Sequence, residues 1–168
     1  MKNFIIVFTL LFTIQTYSQF DDLNSKFLLA QSYEQMGDLQ KARILFEEVY
    51  FIQKDNFQFF ESLNRVYLKL KLFNESIQII QNRLSIFPND ITSIGLLGVT
   101  YYQAGKEEET FKLWNDALKE QPTNLIYYRI LANYALELRL FDKAIDILQK
   151  GKANTAEARI FSYDLAHL

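Results

Sequence analysis

Cysteine is absent from this chain of 168 residues. That absence excludes disulfides, cysteine-based zinc sites, thiol catalysis and N-terminal lipidation through a cysteine. It leaves the redox compartment open, because a well-packed core needs no covalent cross-link. Turn-forming residues are also scarce, with two prolines and five glycines in the whole chain. So few turn signals favour helices over a fold of many short strands.

An excess of charge of one sign is lacking as well. The formal net charge is -2, and lysine and arginine are scattered along the chain. Nucleic-acid-binding domains usually concentrate basic residues on one face, so we expect no nucleic-acid partner. Hydrophobic residues make up 49% of the chain and aromatic residues 15%, which is too much for a disordered protein. The length suffices for one domain with a sizeable core.

No constellation of catalytic or metal-binding residues is visible in the sequence. The single histidine, His167, has no triad or metal partner near it in sequence. The acidic run Glu107–Glu109 opens a predicted helix, where the helix dipole stabilises negative charge. A glycine-rich phosphate-binding loop is missing too. The sequence therefore predicts a protein that is not an enzyme and uses no cofactor and no metal.

The N-terminal segment has the pattern of a secretory signal peptide. Lys2 supplies a positive charge, and residues 4–14 form an apolar run broken only by two threonines. This run is roughly half of the ~20 residues that a membrane-spanning helix needs. A polar stretch follows, with Ser18 as the small residue at the cleavage position. We expect residues 1–18 to be removed and the protein to be exported to the periplasm or secreted. An uncleaved membrane anchor and a core helix are the alternatives.

The remainder of the chain repeats with a period of 34 residues, in rows that begin at Leu23, Phe57, Ile91 and Leu125. Place seven of every row is leucine. Places eight and twenty hold mostly small residues, namely Ala30, Asn64, Gly98 and Ala132, then Ala42, Ser76, Thr110 and Ala144. Place twenty-four holds the bulky residues Phe46, Ile80, Trp114 and Leu148. Side-chain sizes that recur with one period indicate repeated supersecondary units.

Each row has the pattern of two short helices. Apolar residues fall at helical spacing in two stretches separated by a short break, for example at Gly105. Predicted N-caps precede the next row in the pairs Asp55-Asn56, Asn89-Asp90 and Thr123-Asn124. A hairpin of two short helices cannot bury both of its faces alone, so each row must pack on the next.

This pattern resembles the tetratricopeptide repeat. The third row matches it best, with Leu97-Gly98, Tyr101, Gly105, Trp114, Ala117-Leu118 and Pro122 in register. The first row departs from it at Lys26, where an aromatic residue is expected, and the fourth row lacks the tyrosine of place eleven. The resemblance implies an all-α fold, a right-handed alpha-alpha superhelix of antiparallel helix hairpins. The domain would cover residues 19–168, with repeats at 23–56, 57–90, 91–124 and 125–158.

A partial fifth row covers residues 159–168, where Leu165 and Ala166 match places seven and eight. One interpretation is a capping helix that buries its apolar residues against the fourth hairpin. The other is that this sequence is a fragment of a longer repeat array. The crowding of apolar residues such as Ile160 and Phe161 in so short a segment favours the fragment.

The resemblance also implies a binding groove for a protein or peptide. In the family, places two, five, nine, twelve and thirteen of the first helices line a concave surface. In the first row places five, nine and twelve are Phe27, Gln31 and Glu34. The family's carboxylate clamp has lysine at place five and asparagine at place nine, which argues against a receptor for chaperone tails. The residues predicted to contact a partner are Arg65, Leu68, Lys69, Val99, Tyr102, Arg129 and Asn133.

Gly95 and Val99 would form an apolar floor of this groove, with Arg65, Lys69 and Arg129 at its rim. We therefore expect an extended or helical peptide with apolar anchors and some acidic character. The predicted function is an exported, non-catalytic adaptor or scaffold, associated with the membrane only if the signal stays uncleaved. The alternatives are one segment of a larger array that assembles envelope or secretion machinery, and an N-terminal docking or sensor domain of a longer protein.

Overall fold

The computed structural model describes residues 22–166, so the predicted signal segment and His167 lie outside the described residues. Within 22–166 the chain forms helices and no strand. The helices are α1 (22–35), α2 (Leu39–Ile52), α3 (Phe57–Lys69), α4 (Phe73–Ile86), α5 (Ile91–Gln103), α6 (Glu107–Glu120), α7 (Leu125–Glu137), α8 (Phe141–Asn154) and α9 (Ala158–Ala166). Over the same residues, none of them is long and apolar enough to cross a membrane.

The predicted helix caps are confirmed. Helices α3, α5 and α7 begin at the first residue of rows two, three and four. The Asn56 Oδ1 atom accepts hydrogen bonds from the backbone N–H groups of Gln58 and Phe59 at 3.0 and 3.3 Å. Asp90 and Asn124 cap α5 and α7 in the same way. Each cap satisfies N–H groups that have no partner inside the helix, and so fixes where the helix begins.

The break after each first helix has one backbone conformation in all four rows. Place fifteen is left-handed throughout, with φ of 80° at Gly37, 58° at Lys71, 79° at Gly105 and 59° at Arg139. Glycine adopts this conformation without a steric penalty, whereas Lys71 and Arg139 adopt it at some cost. The sequence predicts the break in every row but signals its left-handed geometry only at the two glycines.

The first compact unit ends at Lys71 and, in its described part, contains α1, α2 and α3. Its core is aromatic. Phe27 is only 5% exposed, and its ring lies 5.5 Å from that of Phe46 and 5.0 Å from that of Phe59, centroid to centroid. Leu29, at the place that is buried in the other rows, is 46% exposed. The assignment of Phe27 to the groove is therefore wrong, because its large side chain fills the space between α2 and α3.

The second compact unit begins at Leu72 and contains α4 to α9. In the third repeat, the small residue of place eight and the bulky residue of place twenty-four, Gly98 and Trp114, are in direct contact. A Cβ atom added to Gly98 would lie 2.0 Å from Nε1 of Trp114, so the indole occupies the space that a methyl group would need. Trp114 is 2% exposed. The bulky residue of place twenty-four in this row therefore packs in the core.

Helix α9 packs on the fourth hairpin through Phe161, which is fully buried. The Phe161 ring meets that of Tyr128 edge-on, with 6.0 Å between centroids. Gly151 makes this approach possible, since an added Cβ there would lie 2.6 Å from Phe161 Cζ. Tyr163, by contrast, is 67% exposed. One face of α9 thus behaves as the capping interpretation expects, while its opposite face still presents an aromatic residue.

Candidate functional site

The groove residues predicted in the first unit lie on α3, where Arg65 and Lys69 are exposed and Leu68 is half-buried. Both cations contact Glu34 of α1. The Nε and Nη2 atoms of Arg65 donate to the two carboxylate oxygens of Glu34 at 2.8 and 2.9 Å. The Lys69 Nζ atom donates to Oε1 of the same carboxylate at 2.7 Å. This bidentate arginine pair, reinforced by a lysine, is among the stronger ion-pair geometries in proteins.

Glu34 is a shielded carboxylate, with its side chain 9% exposed. The hydrogen bond from Arg65, aided by that from Lys69, lowers the pKa of Glu34 to about 2 although burial acts in the opposite direction. Glu34 therefore remains ionised at every pH above that value. The three residues together carry one net positive charge, so an acidic ligand would meet one surplus positive charge here rather than two.

The groove cation of the fourth repeat is paired as well. The Nε and Nη2 atoms of Arg129, on α7, donate to the two carboxylate oxygens of Asp164 on α9, at 2.9 and 3.4 Å. Asp164 is largely shielded, with its side chain 19% exposed. Reversing the charge of Arg65 or Arg129 would place two like charges together, so such variants would change stability as well as binding.

The predicted apolar floor is covered by the chain itself. A Cβ atom added to Gly95 would lie 2.2 Å from two carbons of the Tyr134 ring, which shows that this ring rests on the glycine. Val99 is 6% exposed and belongs to the buried core of the second unit. Neither residue offers a ligand much surface, because α7 packs on α5 at this point.

In three of the four rows, place five lies at a contact between repeats rather than on an open groove surface. Phe27 of α1 contacts Phe59 of α3, Tyr134 of α7 covers Gly95 of α5, and Arg129 of α7 binds Asp164 of α9. In rows one, three and four the place-five residue thus contacts the first helix of the following row. The spacing of the ion pairs, close to one repeat length, is the sequence signal that could have revealed them.

The surface that remains available in the second unit is formed by α5 and α7, and we call it the α5–α7 face. It consists of the half-buried Tyr102 and Leu136 and the exposed Ile126 and Asn133. Ile126, Asn133 and Leu136 recur at helical spacing along one side of α7. Ile126 is 58% exposed, and the ring of Tyr102 lies 6.5 Å from that of Phe111. Among the predicted contact residues of this unit, Tyr102 and Asn133 retain surface for a partner, and Arg129, although paired with Asp164, has a side chain that is 51% exposed.

Metal binding finds no geometric support within residues 22–166. No three residues among the histidines, cysteines, aspartates and glutamates of this range are grouped so that they could hold an ion.

Comparison with known proteins agrees with this architecture. A model of the tetratricopeptide repeat matches residues 23–56, which hold α1 and α2. MamA from Desulfovibrio magneticus RS-1 is similar in structure, with 19% identity, a TM-score of 0.52 and coverage of 77% of this chain and 73% of that one. TTC0263, a thermophilic TPR protein of Thermus thermophilus, also has 19% identity and a TM-score of 0.52, over 79% and 74% of the two chains.

A further structure of MamA has a TM-score of 0.55 at 12% identity, over 87% of this chain and 81% of that one. A search of curated proteins finds no match. Identities this low show the fold and nothing more. The all-α tetratricopeptide-repeat fold class expected from the sequence is confirmed.

Proposed function

We propose that this tetratricopeptide-repeat protein is a non-catalytic adaptor or scaffold that binds a partner protein or peptide through the first helices of its repeats. The repeat fold supports protein interaction in general, because stacked hairpins present an extended surface. The observation that carries the finer proposal is the α5–α7 face. Its isoleucine is 58% exposed on α7, and α5 contributes a half-buried tyrosine, a residue type that often anchors interfaces.

The ligand that suits this face is a peptide that contributes apolar side chains. Ile126, Leu136 and the ring of Tyr102 supply the apolar contacts, and the Asn133 amide can both donate to and accept from a peptide backbone. Acidic character in the ligand is not required, because Arg65, Lys69 and Arg129 already bind carboxylates of the chain. We therefore expect binding that depends only weakly on salt concentration.

The variant Ile126→Gln tests this function. Ile86, at the end of α4, is the matched control, since it is the same residue type with 60% exposure against 58% for Ile126. We expect Ile126→Gln to weaken partner binding about tenfold, because a buried apolar contact would be lost. The measurement is a titration with the partner recovered by affinity purification from the envelope fraction. Equal affinities for Ile126→Gln and Ile86→Gln would contradict a binding site on the α5–α7 face.

We also propose that the protein is exported. The support is the signal-like pattern of residues 1–18. N-terminal sequencing of the protein recovered from its native cells should begin at Gln19, in a soluble extracytoplasmic fraction. Recovery of a chain that still begins with residues 1–18, whether in the cytosol or in the membrane, would contradict cleavage.

A further inference from the structure

A cavity of about 510 Å³ lies in the second unit between α6, α7 and α8. It is bounded by the C-terminal half of α6 and the turn after it, by α7, and by the C-terminal part of α8. Its lining residues are Asn115, Leu118, Lys119, Pro122, Tyr128, Lys150 and Asn154. Sites for small organic molecules typically have about 300–1,000 Å³ and combine an apolar lining with a few polar groups.

The back wall of this cavity is held in place by Tyr128. Its side chain is 1% exposed, and its hydroxyl donates to the carbonyl oxygen of Pro122 at 2.8 Å. The same hydroxyl accepts a hydrogen bond from Nδ2 of Asn154 at 3.0 Å. The edge-on contact with Phe161 fixes the ring from behind. A ligand would therefore meet a wall that needs little reorganisation, which favours binding.

The charge at the cavity is positive. Lys119 and Lys150 are the charged residues of its lining, and that lining includes no carboxylate. Each of these lysines shares its acidic partner with another lysine. Asp116 contacts Lys119 at 3.3 Å and Lys112 at 2.8 Å, and Asp146 contacts Lys150 at 2.9 Å and Lys143 at 3.8 Å.

Four lysines thus share two carboxylates, so this set of six side chains has two surplus positive charges, and two of its lysines line the cavity. This surplus is local, because the whole chain has a net charge of -2. A concentrated positive charge beside an apolar wall favours an anion that carries an apolar body.

We propose that this cavity binds a small organic carboxylate with an apolar or aromatic body. Lys119 and Lys150 would bind the carboxylate. Pro122 and the accessible edge of Leu118 would contact the apolar part, with the buried ring of Tyr128 beneath them. This site is independent of the proposed partner-binding face, so either could be present without the other.

The probe for this proposal is 3-phenylpropionate, with 3-phenylpropionamide as its uncharged counterpart. Amide chemical shifts of the isotope-labelled protein are followed by NMR during each titration. We expect saturable shifts for the carboxylate, largest at the lining residues of α6 and α8, and at least about tenfold weaker binding of the amide. Absence of saturable shifts at millimolar probe, or equal affinity for the amide, would overturn the proposal.

The chain offers a control matched in charge. The double variant Lys119→Gln/Lys150→Gln removes the two lining lysines, whereas Lys112→Gln/Lys143→Gln removes two lysines that contact the same aspartates but do not line the cavity. The first should weaken binding of 3-phenylpropionate about tenfold or more, and the second less than about threefold. Equal losses would show a general charge effect and overturn the site. Thermal unfolding of both variants establishes that each is folded.

Discussion

Replacement of Gly98 by alanine is expected to lower the free energy of unfolding by about 2–3 kcal/mol, as overpacking of a core does. The new Cβ would lie 2.0 Å from Nε1 and 2.4 Å from Cε2 of Trp114, and the buried indole has little room to move. The gain of about 1 kcal/mol from alanine in a helix interior does not offset this clash. Denaturant unfolding measures the difference. Gly95→Ala is the milder comparison, because the Tyr134 ring that its Cβ would meet is only half-buried, whereas Trp114 is 2% exposed.

A second substitution should rescue the first. The same two places in the first repeat hold Ala30 and Phe46, so Gly98→Ala combined with Trp114→Phe reproduces a pair that this chain already uses. We expect Trp114→Phe to destabilise the protein when made alone and to be favourable in the Gly98→Ala background. The favourable coupling free energy should be about 1–2 kcal/mol in a double-mutant cycle. Strict additivity of the two changes would contradict the size complementarity proposed for places eight and twenty-four.

Phe27→Ala is expected to cost about 3 kcal/mol or more, because it removes a buried ring that contacts Phe46 and Phe59. Leu29→Ala, two residues away on the same helix, should change the free energy of unfolding by less than about 1 kcal/mol, since Leu29 is 46% exposed. Unfolding of both variants by denaturant gives the comparison. A larger cost for Leu29→Ala than for Phe27→Ala would show that α1 buries place seven, as the other three rows do, and would contradict the packing of Phe27.

Much of the fold is predictable from this sequence because the same local chemistry recurs in every row. Asn56, Asp90 and Asn124 cap helices through their own side chains, so they need no knowledge of neighbouring repeats. The small residues of place twenty are buried in all four rows, since two helices approach there. Which side of α1 packs in the core was not predictable in this way. Whether the residue at place five or the residue at place seven is buried depends on which neighbouring helix packs on it. In α1 the large side chain of Phe27 is buried and that of Leu29 is exposed.

The candidate site was less predictable, because the roles of its residues depend on other repeats. The family pattern indicates which places face a groove, but not that Glu34 and Asp164 bind Arg65 and Arg129 there. Register alone places Tyr102 and Asn133 correctly on first-helix surfaces, since exposed places follow the helical period. The cavity between α6, α7 and α8 had no sequence signal, as its lining residues come from three helices and gather only on folding.

Site-specific photocrosslinking tests the central claim, that the first helices of the repeats bind the partner. A photoreactive amino acid replaces exposed Asn133 on α7 in one variant and exposed Lys112 on α6, a second helix, in the other. Each variant is irradiated in the native cells and its adducts are identified. The proposed function predicts one partner joined to position 133 and little or none at position 112. Adducts at position 112 without any at position 133 would contradict it.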